Sequence, residues 1–443
     1  MKIVFKSKMP FILSARLERV LVAALFSVSY ILIYTRFLNP WFEYAGFVLY
    51  KKSFLFILFS CIIAILPITF YRGYKTISSI ISIFIYVLLY VPIILTFAMG
   101  ANFSLFKILG IQLLFCCMMC LFFTADRFVF IRNFNNEKFA FLSDRFFLLL
   151  TIAITLFVLY IYKGKLAFMD FENVYEHRLD PNTVKVGAIT GYLLSWFIYF
   201  FSPLCLVFGL VCKKKMYLIT SVVASIVMYM AAANKMSILM PICLTGFYFL
   251  FSRFSINHIF SYVTLLFSSL MIVLLLISPQ PGSVAFMMST VLLWRTFGNG
   301  GYITLWYHDF FSNNPYTYYT HVGPINFLTN AYPYGDLQLG QVIGKHYWSD
   351  DMNANANYWA TDGLAACGLP GIIISSLILF CIFIFFNTIT KKYDKKVLLL
   401  LFIPYIFSLT NTSLFTTMLS NGGFLLLLFL LFKKENILKM QNT

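Results

Sequence analysis

Residues Leu369–Thr390 read LPGIIISSLILFCIFIFFNTIT, and residues 391–396, directly after them, read KKYDKK. Twenty-two residues without a charge are enough to cross a hydrocarbon core of ~30 Å at a rise of ~1.5 Å per helical residue. The lysines that follow mark the side of the membrane on which this span ends. Comparable apolar runs lie in front of it at about 17–37, 53–70, 77–98, 103–124, 144–162, 188–212, 216–233, 236–251 and 259–278, and behind it at 397–409 and 414–432. The pattern predicts an all-α integral membrane protein of about 12 transmembrane helices. The last two runs are short and separated only by Thr410, Asn411, Thr412 and Ser413, so they read as a tight pair or as a broken, partly re-entrant element.

The whole chain has the balance such helices need. Of its 443 residues 61% are hydrophobic and 11% charged, against about half and about a quarter in soluble domains. A soluble globular domain, a disordered chain and a coiled coil are excluded. No period of about 20 to 50 residues repeats, which disfavours transporters built from paired halves. Nearly all nine cysteines fall in apolar runs. Cys116, Cys117 and Cys120 share one helix without a histidine or second cysteine pair, so they read as packing, with no disulfide framework or zinc site.

Lys and Arg number 33 against 16 Asp and Glu, a net charge of +17. In a soluble protein this would suggest nucleic acid, but here position decides. Of the two sets of alternate loops, one holds 22 basic and 6 acidic residues, the other 11 and 10. By the positive-inside rule the first set is cytoplasmic, together with both termini, and membrane lipid rather than nucleic acid is the partner of the excess charge. Lys2, Lys6, Lys8, Arg16 and Arg19 precede the first span without a small-residue cleavage site after it, so the span reads as retained. The chain then divides into three parts. Residues 1–278 carry nine helices and a short outer loop at about 163–187, residues 279–368 form a large outer loop, and residues 369–443 carry three helices and a cytoplasmic tail.

The outer segments hold the chemistry. In the short loop Asp170, Glu172, Tyr175, Glu176, His177, Arg178 and Asp180 crowd together. A solvated loop with ordinary ion pairs accounts for this, and so does a carbohydrate or phosphate site, since Arg offers a planar fork to phosphate oxygens and carboxylates grip sugar hydroxyls. Lys235 stands in a very short outer turn, where it either snorkels to water or contributes to an anion site. The large loop is dense in Tyr and Trp, from Trp294 to Trp359, rings that stack on sugars and also settle at headgroup depth. Residues 283–297 predict a short amphipathic or re-entrant helix carrying Arg295 to the membrane surface. Gly298 to Gly301 (GNGG) reads as a flexible turn, with no strand-to-helix setting for a phosphate loop. His308, His321 and His346 bring imidazoles suited to proton removal but no metal-ligand spacing, and the adjacent pair Asp350 and Asp351 makes a poor divalent-cation site. No metal site is expected.

The Tyr175-Glu-His-Arg178 loop, the Asn234-Lys235 turn, and a large loop ending in Asn353-Ala-Asn-Ala-Asn-Tyr-Trp-Ala-Thr-Asp-Gly363 and Gly368-Leu-Pro-Gly371 resemble the O-antigen polymerase family, Wzy. The likeness runs over nearly the whole chain in topology. The stretch 357–371 also resembles O-antigen ligases, with asparagines where those enzymes carry a histidine. The resemblance implies a metal-independent, GT-C-like glycosyltransferase of the bacterial inner membrane that needs no cofactor. Its donor and acceptor would be undecaprenyl-diphosphate-linked oligosaccharides, joined at the periplasmic face, with a chain-length regulator as a further partner. Arg178 and Arg295, each near glycines, occupy places comparable to the arginine- and glycine-bearing motifs of the family's two periplasmic loops. These two arginines, and Lys235 third, would meet the charge of the leaving diphosphate. His321, Asp362 or Glu176 would take the acceptor's proton, and Tyr175, Asn355 and Asn357 would contact substrate. A lipid-linked oligosaccharide flippase or other transporter, and a ligase, are the alternatives.

Overall fold

The computed structural model describes residues 15–129, 143–163, 165–166, 187–354, 356–391 and 393–432. Among these residues every regular element is a helix. Nine are long and apolar enough to cross a membrane: Ala15–Ala45, Ile77–Gly100, Leu105–Arg127, Asp144–Ile161, Thr190–Val211, Lys215–Ala232, Met236–Arg253, Ile256–Leu276 and Leu369–Thr390. The other three expected runs are helical but shorter. They form Phe54–Phe70, Lys395–Leu409, and the pair Leu414–Leu419 and Gly423–Phe432. The protein is thus a multi-pass helical membrane protein.

The chain forms two compact units. The first comprises Met1–Gly73, Tyr86–Phe123 and Asn257–Tyr302, the second Tyr74–Ile85, Thr124–Ile256 and Ile303–Thr443. Lipid gives apolar helices no hydrophobic reason to associate, so close packing and hydrogen bonds between helices must hold each unit together. In the first unit Tyr30 and Thr96 share a hydrogen bond of 2.8 Å, the Tyr86 and Tyr90 hydroxyls donate to Ala64 O and Ile63 O, and buried Gln112 donates to Ile94 O at 2.9 Å. The expected helix at 283–297 is present as Val284–Ser289 followed by Thr290–Gly298, with Ser283 Oγ accepting from Phe286 N at the start and Arg295 exposed. The flexible turn read at 298–301 is not. Gly298 ends one helix, and Gly300 and Gly301 begin Asn299–Asn313, all three buried. A Cβ on Gly298 would lie 2.8 Å from Phe47, on Gly300 2.7 Å from Leu89, and on Gly301 2.2 Å from Thr96. These glycines act as spacers that let helices touch backbone to side chain, a use that outweighs their usual preference for turns.

The second unit has its own polar ties. Ser202 Oγ bonds Ser221 and Ser225 at 3.1 and 2.9 Å, and buried Asn387 accepts from Ser78 N while donating to Ser78 Oγ and Ala125 O. The last apolar run is broken. Leu414–Leu419 stops at Ser420, and Gly422 turns the chain with φ +80° into Gly423–Phe432. Ser408, Thr412, Thr417 and Asn421 join around this break, with Asn421 Nδ2 donating to Ser408 Oγ at 2.8 Å. Such side chains satisfy one another where a helix is interrupted among apolar neighbours.

Candidate functional site

The site is built from the connection that precedes Leu369–Thr390. Trp359–Cys367 is joined to that span by Gly368 alone, in a left-handed conformation of φ +68°. The two helices cross at Gly363 and Gly371, where a Cβ on Gly371 would lie 1.9 Å from Gly363 O. Only two glycines permit this approach, and the crossing fixes the turn of helix that carries Asp362. Trp359 Nε1 donates to Ser376 Oγ at 3.0 Å and ties the same pair.

The last carbonyls of Trp359–Cys367 lack partners within the helix, and residues 315–322 supply them. Thr317 N donates to Ala365 O at 2.8 Å and Tyr318 N to Ala366 O at 3.0 Å. Tyr318 and Tyr319 are left-handed, at φ +48° and +65°, a costly state for bulky residues. It is held by Thr320 N on Thr317 O, by Val322 N on Tyr319 O, and by the Tyr319 hydroxyl against Ser375 Oγ at 2.9 Å. This turn delivers His321.

His321 and Asp362, 41 residues apart in the chain, meet here. Asp362 is fully buried, and its Oδ2 accepts from Ser413 Oγ and Leu414 N, each at 2.8 Å. Its Oδ1 lies 3.7 Å from His321 Nε2, and neither atom has a hydrogen-bond partner among the described residues. On the far side of the ring, Nδ1 is 2.7 Å from Thr317 Oγ, which is also 3.1 Å from Ala365 O. If the Thr317 proton goes to Ala365, Nδ1 keeps its hydrogen and Nε2 is a bare lone pair. If it goes to Nδ1, Nε2 carries the hydrogen toward Asp362. The arrangement is an imidazole buffered by a hydroxyl and a carboxylate, with the equipment to accept and return one proton.

His321 lines a cavity of about 660 Å³. Asn326, Gln338, Asn353, Asn357, Thr412 and Ser413 give its wall neutral amides and hydroxyls, Asp336 gives one carboxylate, and no Lys or Arg is among the described lining residues. Asn357 Oδ1 accepts from Ser413 N at 2.8 Å, which fastens the wall to the broken helix. The Asn353 Oδ1 and the Tyr332 hydroxyl, also buried, lack partners among the described residues. Burial, reinforced by neighbouring Tyr334, pushes the Tyr332 phenol up to about 12. Burial and then the charge of Asp362 push Tyr307 far above its ordinary range, so it faces Asn357 as a neutral phenol. A cavity of this volume and lining suits an uncharged polyhydroxyl ligand. Its described lining holds no cation to neutralise a diphosphate.

The structure therefore gathers three of the residues named from the sequence, His321, Asp362 and Asn357. Glu176, Arg178, Tyr175 and Asn355 lie outside the described residues. Lys235 sits half-buried between Lys215–Ala232 and Met236–Arg253 and does not line the cavity. Arg295 belongs to the first unit and is exposed. Nothing in the sequence singles out Thr317; Ser413, Asn353 and Tyr332 stand out there only as members of the polar break at 410–413, the Asn353–Gly363 stretch and the aromatic-rich loop, not as site residues. The aromatics Tyr307, Tyr358 and Trp359 are at most 2% exposed and serve as core, not as a stacking surface. Asp350 pairs with Lys345 at 3.1 Å on the surface. No three His, Cys, Asp or Glu side chains among the described residues cluster as a metal site.

Comparison with known proteins assigns no family: no family model matches the chain, and neither the curated proteins nor the solved structures contain a match.

Proposed function

We propose that the protein is a glycosyltransferase of the O-antigen polymerase kind. In this reading it has about twelve spans and a GT-C-like architecture, sits in the bacterial inner membrane with both termini cytoplasmic, and lengthens undecaprenyl-diphosphate-linked oligosaccharides at the periplasmic face. The observation that carries the reading is His321, set against buried Asp362 and lining a large cavity whose polar wall is mostly neutral amides and hydroxyls, beside a membrane span. Amides and hydroxyls recognise sugar hydroxyls, and an imidazole in the same wall can remove a proton. In the proposed step the acceptor hydroxyl gives its proton to His321 Nε2 as its oxygen bonds to the donor's anomeric carbon. The bond from that carbon to phosphate oxygen breaks, and its electron pair leaves with the diphosphate. Asp362 stabilises the imidazolium formed, and Thr317 steadies the ring. Arg178, Arg295 and Lys235 remain the proposed cations for the leaving group, because its charge needs a counter-ion more than a proton.

The test is purified protein in liposomes with lipid-linked repeat units. A polymerase lengthens the glycan, a flippase only moves it across, and a ligase passes it to a different acceptor. His321→Ala should reduce lengthening by at least about 100-fold, the usual worth of a general base. Translocation without lengthening would overturn the reading.

A further inference from the structure

The helix Gly323–Thr329 leaves Phe327 89% and Leu328 83% exposed. Among the described residues, the other large apolar side chains exposed beyond 75% are Phe54, Phe106, Tyr160 and Leu276. Each of these lies within two residues of the end of an apolar membrane helix: Phe54–Phe70, Leu105–Arg127, Asp144–Ile161 and Ile256–Leu276 respectively. Among the described residues, exposure of that degree otherwise falls at the ends of apolar membrane helices. Phe327 and Leu328 share it although their helix is seven residues long and no part of a span.

The setting of the helix follows from its neighbours. Gly323, Pro324 and Asn326 line the His321 cavity, and so does Tyr192, the third residue of the span Thr190–Val211. The short helix thus lines the same cavity as the first turn of that span. Its two faces differ: Asn326 turns to the polar cavity, while Phe327 and Leu328 are outside the lining. Residues 323–329 carry no charge, and Asn330, left-handed at φ +46°, ends the helix with its N–H on Asn326 O at 2.7 Å.

We propose that Gly323–Thr329 is an interfacial helix that seats Phe327 and Leu328 in the acyl boundary of the bilayer, so that the cavity opens at the lipid surface. Apolar side chains at this depth are covered by lipid in the way that amphipathic interfacial helices are. A sugar on a polyprenyl carrier could then enter the cavity while its chain stays in the membrane. That consequence rests on the glycosyltransferase reading, whereas the insertion itself does not.

The experiment measures depth without substrate. Phe327→p-acetylphenylalanine and, separately, Leu328→p-acetylphenylalanine are coupled to a hydroxylamine nitroxide, which leaves the native cysteines untouched. Each is reconstituted in phosphatidylethanolamine/phosphatidylglycerol vesicles. Collision with oxygen is compared with collision with a water-soluble nickel chelate. Leu156, within a span and 60% exposed, is the lipid reference, and Asp350, with its side chain 81% exposed, the water reference. The oxygen-to-nickel ratio at 327 and 328 should approach that at 156 and exceed that at 350 about tenfold. A ratio like that at 350 would overturn the proposal. So would low collision with both agents, which would mean that a second copy or another protein covers the helix. Wild-type protein that lengthens glycans alongside a water-exposed 327 would sink the insertion alone, and inserted labels in a protein that lengthens nothing would sink the enzymatic reading alone.

Discussion

Substitution of Asp362 separates what this carboxylate does for stability from what it does for chemistry. Asp362→Ala strands two buried donors, Leu414 N–H and Ser413 Oγ–H, each of which now donates at 2.8 Å. A buried donor left without a partner costs about 1–3 kcal/mol, so two amount to roughly 2–6 kcal/mol. Removing a buried carboxylate also removes its desolvation cost, which lowers the net loss to about 2–4 kcal/mol. Asp362→Asn behaves differently. Its amide oxygen keeps both donors, so stability should stay within about 1 kcal/mol of the native protein. Its NH₂ group replaces Oδ1 at 3.7 Å from His321 Nε2 and, on closing to about 3 Å, donates to that nitrogen and occupies the lone pair that the reaction needs. Transfer should fall by about 100-fold or more. Equilibrium unfolding in mixed micelles, followed by tryptophan fluorescence, and glycan lengthening in liposomes read the two effects. Alanine and native proteins of equal stability would refute the hydrogen-bond argument, and a fully active asparagine variant would refute the role of Nε2.

Gly371→Ala forces a Cβ against the Gly363 carbonyl, which has no flexible end to yield, and should cost about 1–3 kcal/mol or more in the same unfolding assay, whereas Gly110→Ala, with nothing within 4 Å of its Cβ, should not lose stability by crowding. Because burial raises the Tyr332 phenol from 10.0 to about 12, the unfolded chain releases this proton first as pH rises; the contribution is full below pH 10.0 and gone by about pH 12. Thermal unfolding across that window should therefore fall less steeply for Tyr332→Phe than for the native protein. Arg178→Ala and Arg295→Ala should each leave cells with single-repeat lipopolysaccharide on immunoblots while the protein still reaches the membrane, and normal long-chain ladders from both would end the proposed role of these cations.

Much of the architecture is legible in the residues. Each of the twelve apolar runs is helical where described, because a backbone in lipid must satisfy its own N–H and C=O groups and a helix does this within one segment. Length is less legible: 397–409 and 414–432 become short helices, the second interrupted at Gly422. The misread 298–301 stretch shows why local preference fails. Glycine in isolation favours turns, and only the presence of Phe47, Leu89 and Thr96 against it turns the same residues into a helix contact. In the site, His321 and Asp362 could be named from their chemistry, and Thr317 could not. A threonine among many becomes significant only when its hydroxyl stands 2.7 Å from His321 Nδ1.

By itself the sequence determines that this chain lives in a membrane as a bundle of helices, since hydrophobicity sums along a segment and needs no neighbour to act. Tertiary structure alone decides that His321 reaches Asp362, that Ser413 and Leu414 hold the carboxylate, and that His321 and Ser413 line a cavity of about 660 Å³. Proton transfer and hydrogen bonding act over about 3 Å, a distance that the order of residues does not encode and that here depends on two glycines allowing two helices to cross.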